Sequence, residues 1–452
     1  MSRVALIGEN SVEYVNALLD IWNNGDCAVL LDWRIPFKTA VKMMVEAGVT
    51  RCCIESGKFD NKKDIFPEST DLQVFEKQSN SAELLPQYIY NKYRDNYSDN
   101  EAVVIYSSGT TGEAKGIILS HYAIQTNADD IIDYMSPTAD DYLYIVKVMS
   151  HSSTLTGELL VALKSGMKVV VAPTIVPPRV ILGNIEKFNA SIICLNPTLL
   201  SMLCDEINRK SYDFSSLKTI YVSGSILNDK IYEKAHGTFA DIPIYNVYGL
   251  SEAGPRVSAQ RAKCCERNSV GKAIKDVSIV VVDDSGQVVP QGRRGIIHVK
   301  TPSVFSKYIS GTRRVSLYDQ EWLNTGDIGF FDTYGELHIV GRSDDLIIID
   351  SHKIYPSEIE RAILMCDRVD ECVVTKVDYN GNEFLECLYT GKKDSETIIR
   401  ESLRDKLQTH EIPRRFVYCE TIPRTPNGKI SSADIKDIII QEMRNHNGEY
   451  KE

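Results

Sequence analysis

The sequence lacks several features that would assign a class at once. None of its 11 cysteines falls in a C-x-x-C pair, so it contains neither a zinc ribbon nor a thioredoxin-type redox motif. Its net charge is -11 and its lysines and arginines are not clustered, which argues against a nucleic-acid-binding surface. No apolar run is long enough for a membrane span. These absences predict a reduced protein with no structural metal, no bound nucleic acid and no membrane span.

The N-terminal stretch M-S-R-V-A-L-I-G-E-N becomes polar too early for the apolar part of a signal peptide, so a cytoplasmic location is expected. The chain has 452 residues, of which 43% are apolar and 25% charged, and this composition is typical of a folded protein with several cores. The sequence gives no indication of an oligomeric state.

The first part of the chain alternates between strand-like and helix-like patterns. Three short apolar runs, at residues 4–7, 28–32 and 51–55, are typical of strands. Between the first two, residues 11–23 show the apolar spacing of a helix. Residues 88–101 are polar and without a clear period, which indicates a surface connection. This alternation predicts a parallel sheet with covering helices, continued by strands at residues 168–172, 190–194, 219–223 and 243–247.

The pattern changes twice towards the C-terminus. After about residue 270 the strands become short and alternate with turns, which suggests a barrel-like part. From residue 341 onward a helix at 356–366 and strands at 371–377 and 385–390 predict a small α+β domain. We therefore expect an α/β fold in which a large N-terminal domain, residues 1–343, is followed by a small mobile domain, residues 344–452.

The stretch at residues 106–116, Y-S-S-G-T-T-G-E-A-K-G, is the most informative in the chain. Its glycines allow tight turns, its hydroxyl groups are hydrogen-bond donors, and Lys115 adds a compact positive charge, a combination suited to phosphate. It is not a Walker loop, because Lys115 precedes Gly116. Apolar runs on both sides predict that it joins two strands. Taken alone, the stretch fits a glycine-rich hairpin without a ligand equally well.

Four further clusters follow in order: Y-G-L-S-E at 248–252, N-T-G-D at 324–327, G-R-S-D-D at 341–345 and P-N-G-K-I at 426–430. Together with the glycine-rich stretch they resemble, in type and order, the superfamily of adenylate-forming (AMP-binding) enzymes. This superfamily comprises acyl-CoA synthetases, peptide-synthetase adenylation domains and luciferases. The resemblance runs from about residue 4 to residue 430, and its motifs are most similar to those of stand-alone acyl- and aryl-CoA synthetases.

The resemblance implies an enzyme that joins a carboxylic acid to the α-phosphate of ATP, releases pyrophosphate and passes the acyl group to a thiol. Because a carboxylate must approach a triphosphate of the same sign, the site needs positive charge and hydrogen-bond donors. It implies that Lys115 and the loop hold the β- and γ-phosphates and that Glu252 helps to hold Mg²⁺. The loop residues concerned are Ser107, Ser108, Gly109, Thr110, Thr111 and Gly112.

The remaining roles come from the same resemblance. Asp327 and Arg342 correspond to the pair that grips the ribose hydroxyls, and Lys429 to the mobile lysine that bridges the carboxylate and the α-phosphate. Taken alone, Asp327 and Arg342 would be a loop cap and a surface ion pair, and Lys429 a solvated turn lysine. The nucleotide site is further implied to include Gly224, Ser225, Tyr248, Gly249 and Ser251.

The acyl pocket is implied to include Ser223, Gly249 and His151, although His151 could equally pack without contacting substrate. Amino-acid-activating members carry an aspartate near the position of His151 to meet the substrate ammonium. Because no buried acid is evident there, the sequence disfavours a simple α-amino acid as substrate.

Two positions concern the thiol step. Family members that make CoA thioesters usually have glycine where this chain has Ser351. A serine side chain could therefore narrow the tunnel for the thiol. Lys353 retains a basic group that can bind a phosphate. Asp344 corresponds to the hinge between the adenylating and thioester-forming poses. Adenylation is thus better supported than thiol transfer.

The sequence therefore predicts an ATP- and Mg²⁺-dependent acid–thiol ligase for a small carboxylic acid. The acceptor would be CoA or the phosphopantetheine of a carrier protein supplied in trans, since no carrier motif follows Lys429. Two alternatives remain open within enzymes: a ligase with an amine or water as acceptor, and an amino-acid-activating enzyme. A non-catalytic nucleotide-binding protein is the alternative from another class.

Overall fold

The computed structural model describes residues 1–58, 66, 70–108, 114–174, 176–261, 268–310, 318–319, 321–349, 352–379, 382–423 and 432–448. The chain divides into two compact units. The N-terminal unit contains Met1–Leu227, Ile231–Thr325 and Phe331–His338. The C-terminal unit contains Asn228–Lys230, Gly326–Phe330 and Ile339–Glu452.

The strands run in this chain order: β1 Arg3–Ile7, β2 Cys27–Leu31, β3 Val49–Glu55, β4 Asp71–Phe75, β5 Glu83–Leu84, β6 Glu101–Ser108, β7 Ala114–Ser120, β8 Tyr142–Ile145, β9 Lys168–Val171, β10 Ile192–Leu195, β11 Thr219–Val222, β12 Ile244–Gly249, β13 Arg256–Ala259, β14 Lys272–Ala273, β15 Ser278–Val282, β16 Gly295–Lys300, β17 Lys307–Tyr308, β18 Leu323–Phe331, β19 Leu337–Arg342, β20 Ile347–Ile349, β21 His352–Ile354, β22 Val369–Tyr379, β23 Asn382–Gly391 and β24 Phe416–Tyr418.

The α-helices are α1 Val12–Asn23, α2 Phe37–Glu46, α3 Gln87–Lys92, α4 His121–Met135, α5 Ser152–Thr154, α6 Val161–Ser165, α7 Pro178–Phe188, α8 Pro197–Ile207, α9 Asp229–Thr238, α10 Pro356–Leu364, α11 Glu396–Leu403 and α12 Ser432–Gly448. A π-helical segment, Leu155–Leu160, connects α5 to α6, and short 3₁₀ turns lie at Ser251–Ala253, Ser343–Asp345 and Thr409–Glu411.

The first sheet of the N-terminal unit has the order β17-β7-β6-β2-β1-β3-β4. Strand β1 pairs in parallel with β2 and β3, and β2 pairs in parallel with β6. Helix α1 begins after Ser11, whose hydroxyl accepts a hydrogen bond from the Tyr14 amide at 3.0 Å and satisfies one of the free donors of the first turn. The predicted strands at residues 4–7, 28–32 and 51–55 and the helix between the first two are confirmed.

The second sheet of the N-terminal unit has the order β14-β13-β12-β11-β10-β8-β9-β5. Its central strands β8, β10, β11 and β12 pair in parallel, so their carboxyl ends lie at one edge. Ligands of open α/β sheets bind outside this edge. The residues that follow these strands are therefore the candidates for a site.

Two further groups of strands lie outside these sheets. Strands β15, β16, β18 and β19 form a four-stranded sheet, which contains the short strands predicted after residue 270. In the C-terminal unit, β20 and β21 form a hairpin, and the three-stranded sheet β22-β23-β24 packs with α10 and α11 around one apolar core. The expected surface connection at residues 88–101 begins instead within a short helix, α3, whose six residues are too few for a periodic signal.

Among the described residues, no helix is both long enough and apolar enough to cross a membrane. The cysteines in the same part of the chain are free thiols, and most are buried.

His121 begins helix α4 and is almost fully buried, with its ring 5.7 Å from that of Trp22. Burial lowers the pKa of its imidazole from 6.5 to about 4. The unfolded chain therefore binds a proton near pH 6.5 that the folded chain excludes until the pH is much lower. Folding stability supplied by this group is present above pH 6.5 and is lost as the pH falls, by at most about 1.4 kcal/mol per pH unit.

We expect His121→Phe, which keeps an aromatic ring but cannot titrate, to flatten the fall in the free energy of unfolding between pH 6.5 and 4. The difference between variant and wild type, measured by urea denaturation at each pH, isolates this group from the carboxylates that titrate in the same window. Parallel profiles for the two proteins would contradict the assignment.

Candidate adenylation site

The glycine-rich stretch lies between two paired strands, as predicted. Strands β6 and β7 are antiparallel, and Ser107 pairs directly with Lys115, while Ser108 pairs with Ala114. The hairpin thus holds the backbones of Ser107 and Lys115 side by side at the base of the loop. Gly109, Thr110, Thr111 and Gly112 lie outside the described residues.

Tyr308 links the two charged residues predicted to handle the phosphates and the metal. Its hydroxyl donates a hydrogen bond to Oε1 of Glu252 at 3.0 Å, and the Nζ of Lys115 lies 5.9 Å from the centre of its ring. The backbone carbonyl of Glu252 also accepts a bond from the Phe305 amide at 2.9 Å. Tyr308 lies in β17, which pairs with β7, the strand that contains Lys115. Strand β17 therefore brings Lys115 and Glu252 into one cluster. Sequence reasoning missed Tyr308, and its contacts exist only in the folded chain.

Ser251 and His151 belong to neighbouring segments. The hydroxyl of Ser251 lies 2.8 Å from that of Ser152, the residue after His151. The carbonyl of His151 accepts bonds from the amides of Thr154 and Leu155, and its side chain is exposed. Burial raises the pKa of Asp32, but the hydrogen bonds and the charge of Arg34, with a smaller contribution from His151, outweigh this effect and lower it.

The predicted pocket residues after β11 and β12 lie at the carboxyl edge of the second sheet. Ser223 is buried, and its hydroxyl accepts a bond from Nζ of Lys147 at 3.4 Å. Gly224 has a φ of +96°, a left-handed conformation that favours glycine, and Ser225 is exposed. Tyr248 and Gly249 end β12. A Cβ on Gly249 would lie 1.8 Å from the carbonyl oxygen of Pro255, so no side chain fits there.

A buried charge cluster, Lys147, Glu158 and Arg256, lies beside these residues. Glu158 is 0% exposed and Arg256 is 3% exposed, and Nζ of Lys147 lies 3.0 Å from Oε1 of Glu158. Burial raises the pKa of Glu158, while Lys147 and Arg256 act to lower it. The expectation that this region holds no buried acid is therefore wrong. Glu158 already has a lysine partner, so it is not free for a substrate ammonium.

Sequence reasoning overlooked all three members of this charge cluster. The available signal was a charged residue inside an apolar run, as in I-V-K-V-M for Lys147 and T-G-E-L-L for Glu158. Charged side chains are almost never fully buried unless they are paired, so such positions are informative.

The C-terminal unit holds the predicted ribose pair. Nη1 of Arg342 lies 2.8 Å from Oδ1 of Asp327, whose side chain is buried. Asp344 follows in the 3₁₀ turn, and Lys353 is exposed on β21 opposite Ile348. Ser351 and Lys429 lie outside the described residues.

A large unit containing two mainly parallel sheets, followed by a small α+β unit, is the arrangement expected of an adenylate-forming enzyme. The chain belongs to the AMP-binding enzyme family: the family's main model matches residues 1–309 and the model of its C-terminal domain matches residues 358–429. The resemblance seen in the sequence and the predicted fold class are confirmed.

The relatives of this chain are acid–CoA ligases. It is 27% identical to indoleacetate–CoA ligase of Aromatoleum aromaticum, over 75% of this chain and 68% of that protein. It is 25% identical to 2-succinylbenzoate–CoA ligase of Enterococcus faecalis, over 95% of this chain and 87% of that protein. Among solved structures, ATP-bound MatB from Rhodopseudomonas palustris has a TM-score of 0.83 at 23% identity, covering 97% of this chain and 88% of that one. The predicted enzyme class, an AMP-forming acid–thiol ligase, agrees with these relatives.

We expect Gly249→Ala to abolish activity and to lower the free energy of unfolding by about 1–3 kcal/mol, because the new methyl group must displace the backbone at Pro255. Gly183→Ala is the matched control, since a Cβ there, within α7, meets nothing within 4 Å. The control should leave activity unchanged and raise stability by about 0.5–1 kcal/mol. Normal activity and stability in Gly249→Ala would contradict the close approach of the two backbone segments.

Proposed function

We propose that the chain activates a carboxylic acid with ATP to an acyl-adenylate, releases pyrophosphate and transfers the acyl group to CoA. The observation that carries the proposal is the cluster in which Tyr308 joins Lys115 to Glu252 beside Ser107. This cluster supplies a cation and a metal-binding carboxylate next to a loop rich in hydroxyl and amide donors. CoA is the preferred acceptor because the relatives are CoA ligases; a carrier protein acting in trans stays the second candidate.

The residue types fit the charge changes of the first step. When the carboxylate of the acid attacks the α-phosphorus, the bond to pyrophosphate breaks and negative charge grows on the leaving group. Lys115 would stabilise that charge, and its place in β7, with Nζ 5.9 Å from the centre of the Tyr308 ring, supports this role. Glu252 would hold Mg²⁺, a hard ion that prefers one or two carboxylates plus phosphate oxygens. The bond from Tyr308 fixes the orientation of this carboxylate.

The other roles follow the resemblance. Asp327 and Arg342 would bind the ribose hydroxyls through an acceptor and a donor, and their ion pair orients both side chains. Lys429 would bridge the substrate carboxylate and the α-phosphate, so its removal would reduce chemistry more than ATP binding. Lys353 would meet a phosphate of CoA.

Acid-dependent exchange of pyrophosphate into ATP, measured against a panel of aryl, fatty, dicarboxylic and amino acids, tests the proposal. We expect Lys115→Met and Glu252→Gln to lower exchange by at least about 100-fold, since the first removes a cation that would contact the phosphates and the second weakens the binding of Mg²⁺. The matched controls should retain it. Lys168→Met removes a lysine 4.6 Å from the ring of Tyr142, and Glu206→Gln alters a carboxylate that accepts a bond from Tyr212. Folded protein that exchanges with no acid would favour a binding role.

We expect Asp344→Pro to slow thioester formation and to spare adenylation. Asp344 lies in a 3₁₀ turn whose backbone angles a proline can adopt, whereas proline would resist the rotation that the hinge role requires. Exchange measures the first step, and thioester formation with CoA, followed by mass spectrometry, measures the second. Equal loss in both steps would contradict the hinge assignment.

A further inference from the structure

The buried charge cluster of Lys147, Glu158 and Arg256 has more positive than negative groups. Glu158 is matched by Lys147 at 3.0 Å. Among the described residues, Arg256 forms no ion pair within 4 Å, and its Nε is buried without a hydrogen-bond partner. A buried N–H group without a partner is costly, because it has lost its hydrogen bond to water and has gained none from the protein. The cluster therefore has the charge and the free donor to accept one more anion.

Arg256 and Lys147 both touch residues predicted to line the acyl pocket. Arg256 pairs with Gly249 across strands β12 and β13. Lys147 lies two residues after the end of β8 and donates its hydrogen bond to Ser223. Both cations thus lie at the carboxyl edge of the second sheet, where ligands of such sheets bind.

The backbone at Gly157 leaves space for the guanidinium of Arg256. A Cβ on Gly157, in the π-helical segment, would lie 3.1 Å from Nη2 of Arg256. Glycine at this position removes that contact, and π-helical segments are frequent at functional sites.

We propose that Lys147 and Arg256 bind a second anionic group on the acid substrate, most simply a second carboxylate, and that the enzyme therefore selects dicarboxylic acids. This inference rests on the proposed function. Glu158 positions Lys147 and does not contact the substrate. The fork of the guanidinium suits a carboxylate, which it can bind through two parallel hydrogen bonds. A substrate with an apolar end would leave Arg256 without an anionic partner.

The test compares each dicarboxylic acid with its own monomethyl ester, which keeps the reactive carboxylate, removes the second charge and adds one methyl group. Pyrophosphate exchange is measured with succinate, glutarate, adipate, phthalate and homophthalate and with the five esters. We expect at least one diacid to exceed its ester in kcat/KM by about 10- to 100-fold, the range expected for a charge-assisted hydrogen bond.

Variants of the cluster separate a substrate contact from a structural role. Arg256→Gln and Lys147→Met should raise KM for the diacid by at least about tenfold and leave KM for its ester within about twofold. Arg256→Lys should restore part of the affinity for the diacid. Lys164→Met is the matched control, because Lys164 is a buried lysine that pairs with Asp95 and Asp129 away from the cluster; it should leave the ratio of diacid to ester unchanged.

The outcomes are distinct. Exchange with no acid overturns the proposed function itself. Exchange in which the esters or other monoacids equal or exceed every diacid overturns the dicarboxylate inference and leaves the function standing. Variants that lose diacid and ester equally show a structural cluster only. If Arg256 variants fail to fold, the wild-type comparison of diacids with esters still decides the question.

Discussion

Parallel pairing of β8, β10, β11 and β12 is the constraint on which the rest of the N-terminal unit depends. Because parallel strands end at the same edge, Lys147, Ser223 and the turn after Gly249 must come together, although long stretches of chain separate them. Strand β13 then returns antiparallel to β12 and places Arg256 opposite Gly249. The grouping of the candidate site residues at this edge follows from the pairing.

The sequence was sufficient to predict several of the strands, the first helix and the order of the motifs. Short apolar runs gave β1, β2 and β3, and Ser11 marked the start of α1, because these signals are local. The hairpin of Ser107 and Lys115 was predictable for the same reason. The contact of Tyr308 with Glu252 was not, since it depends on the pairing of β17 with β7, two segments that are far apart in the chain.

The buried charge cluster shows where periodicity misleads. Residues 154–163 look like an ordinary, mainly apolar helix with one charged residue, and Glu158 would be placed on its solvent face. The chain instead forms a π-helical segment there, and Glu158 is buried against Lys147. Burial of a carboxylate is tolerated only where cations are near, and the positions of Lys147 and Arg256 cannot be known until the second sheet is assembled.

Strand β17 has a further consequence for solubility. The outer side of β7 would otherwise be a free sheet edge with unpaired amides and carbonyls, the kind of surface that adds strands from other molecules. The two residues of β17 cover part of it and, being so few, offer little edge of their own. Tyr308, which donates a hydrogen bond to the carboxylate of Glu252, therefore also lies in the strand that covers this edge and limits pairing with other molecules.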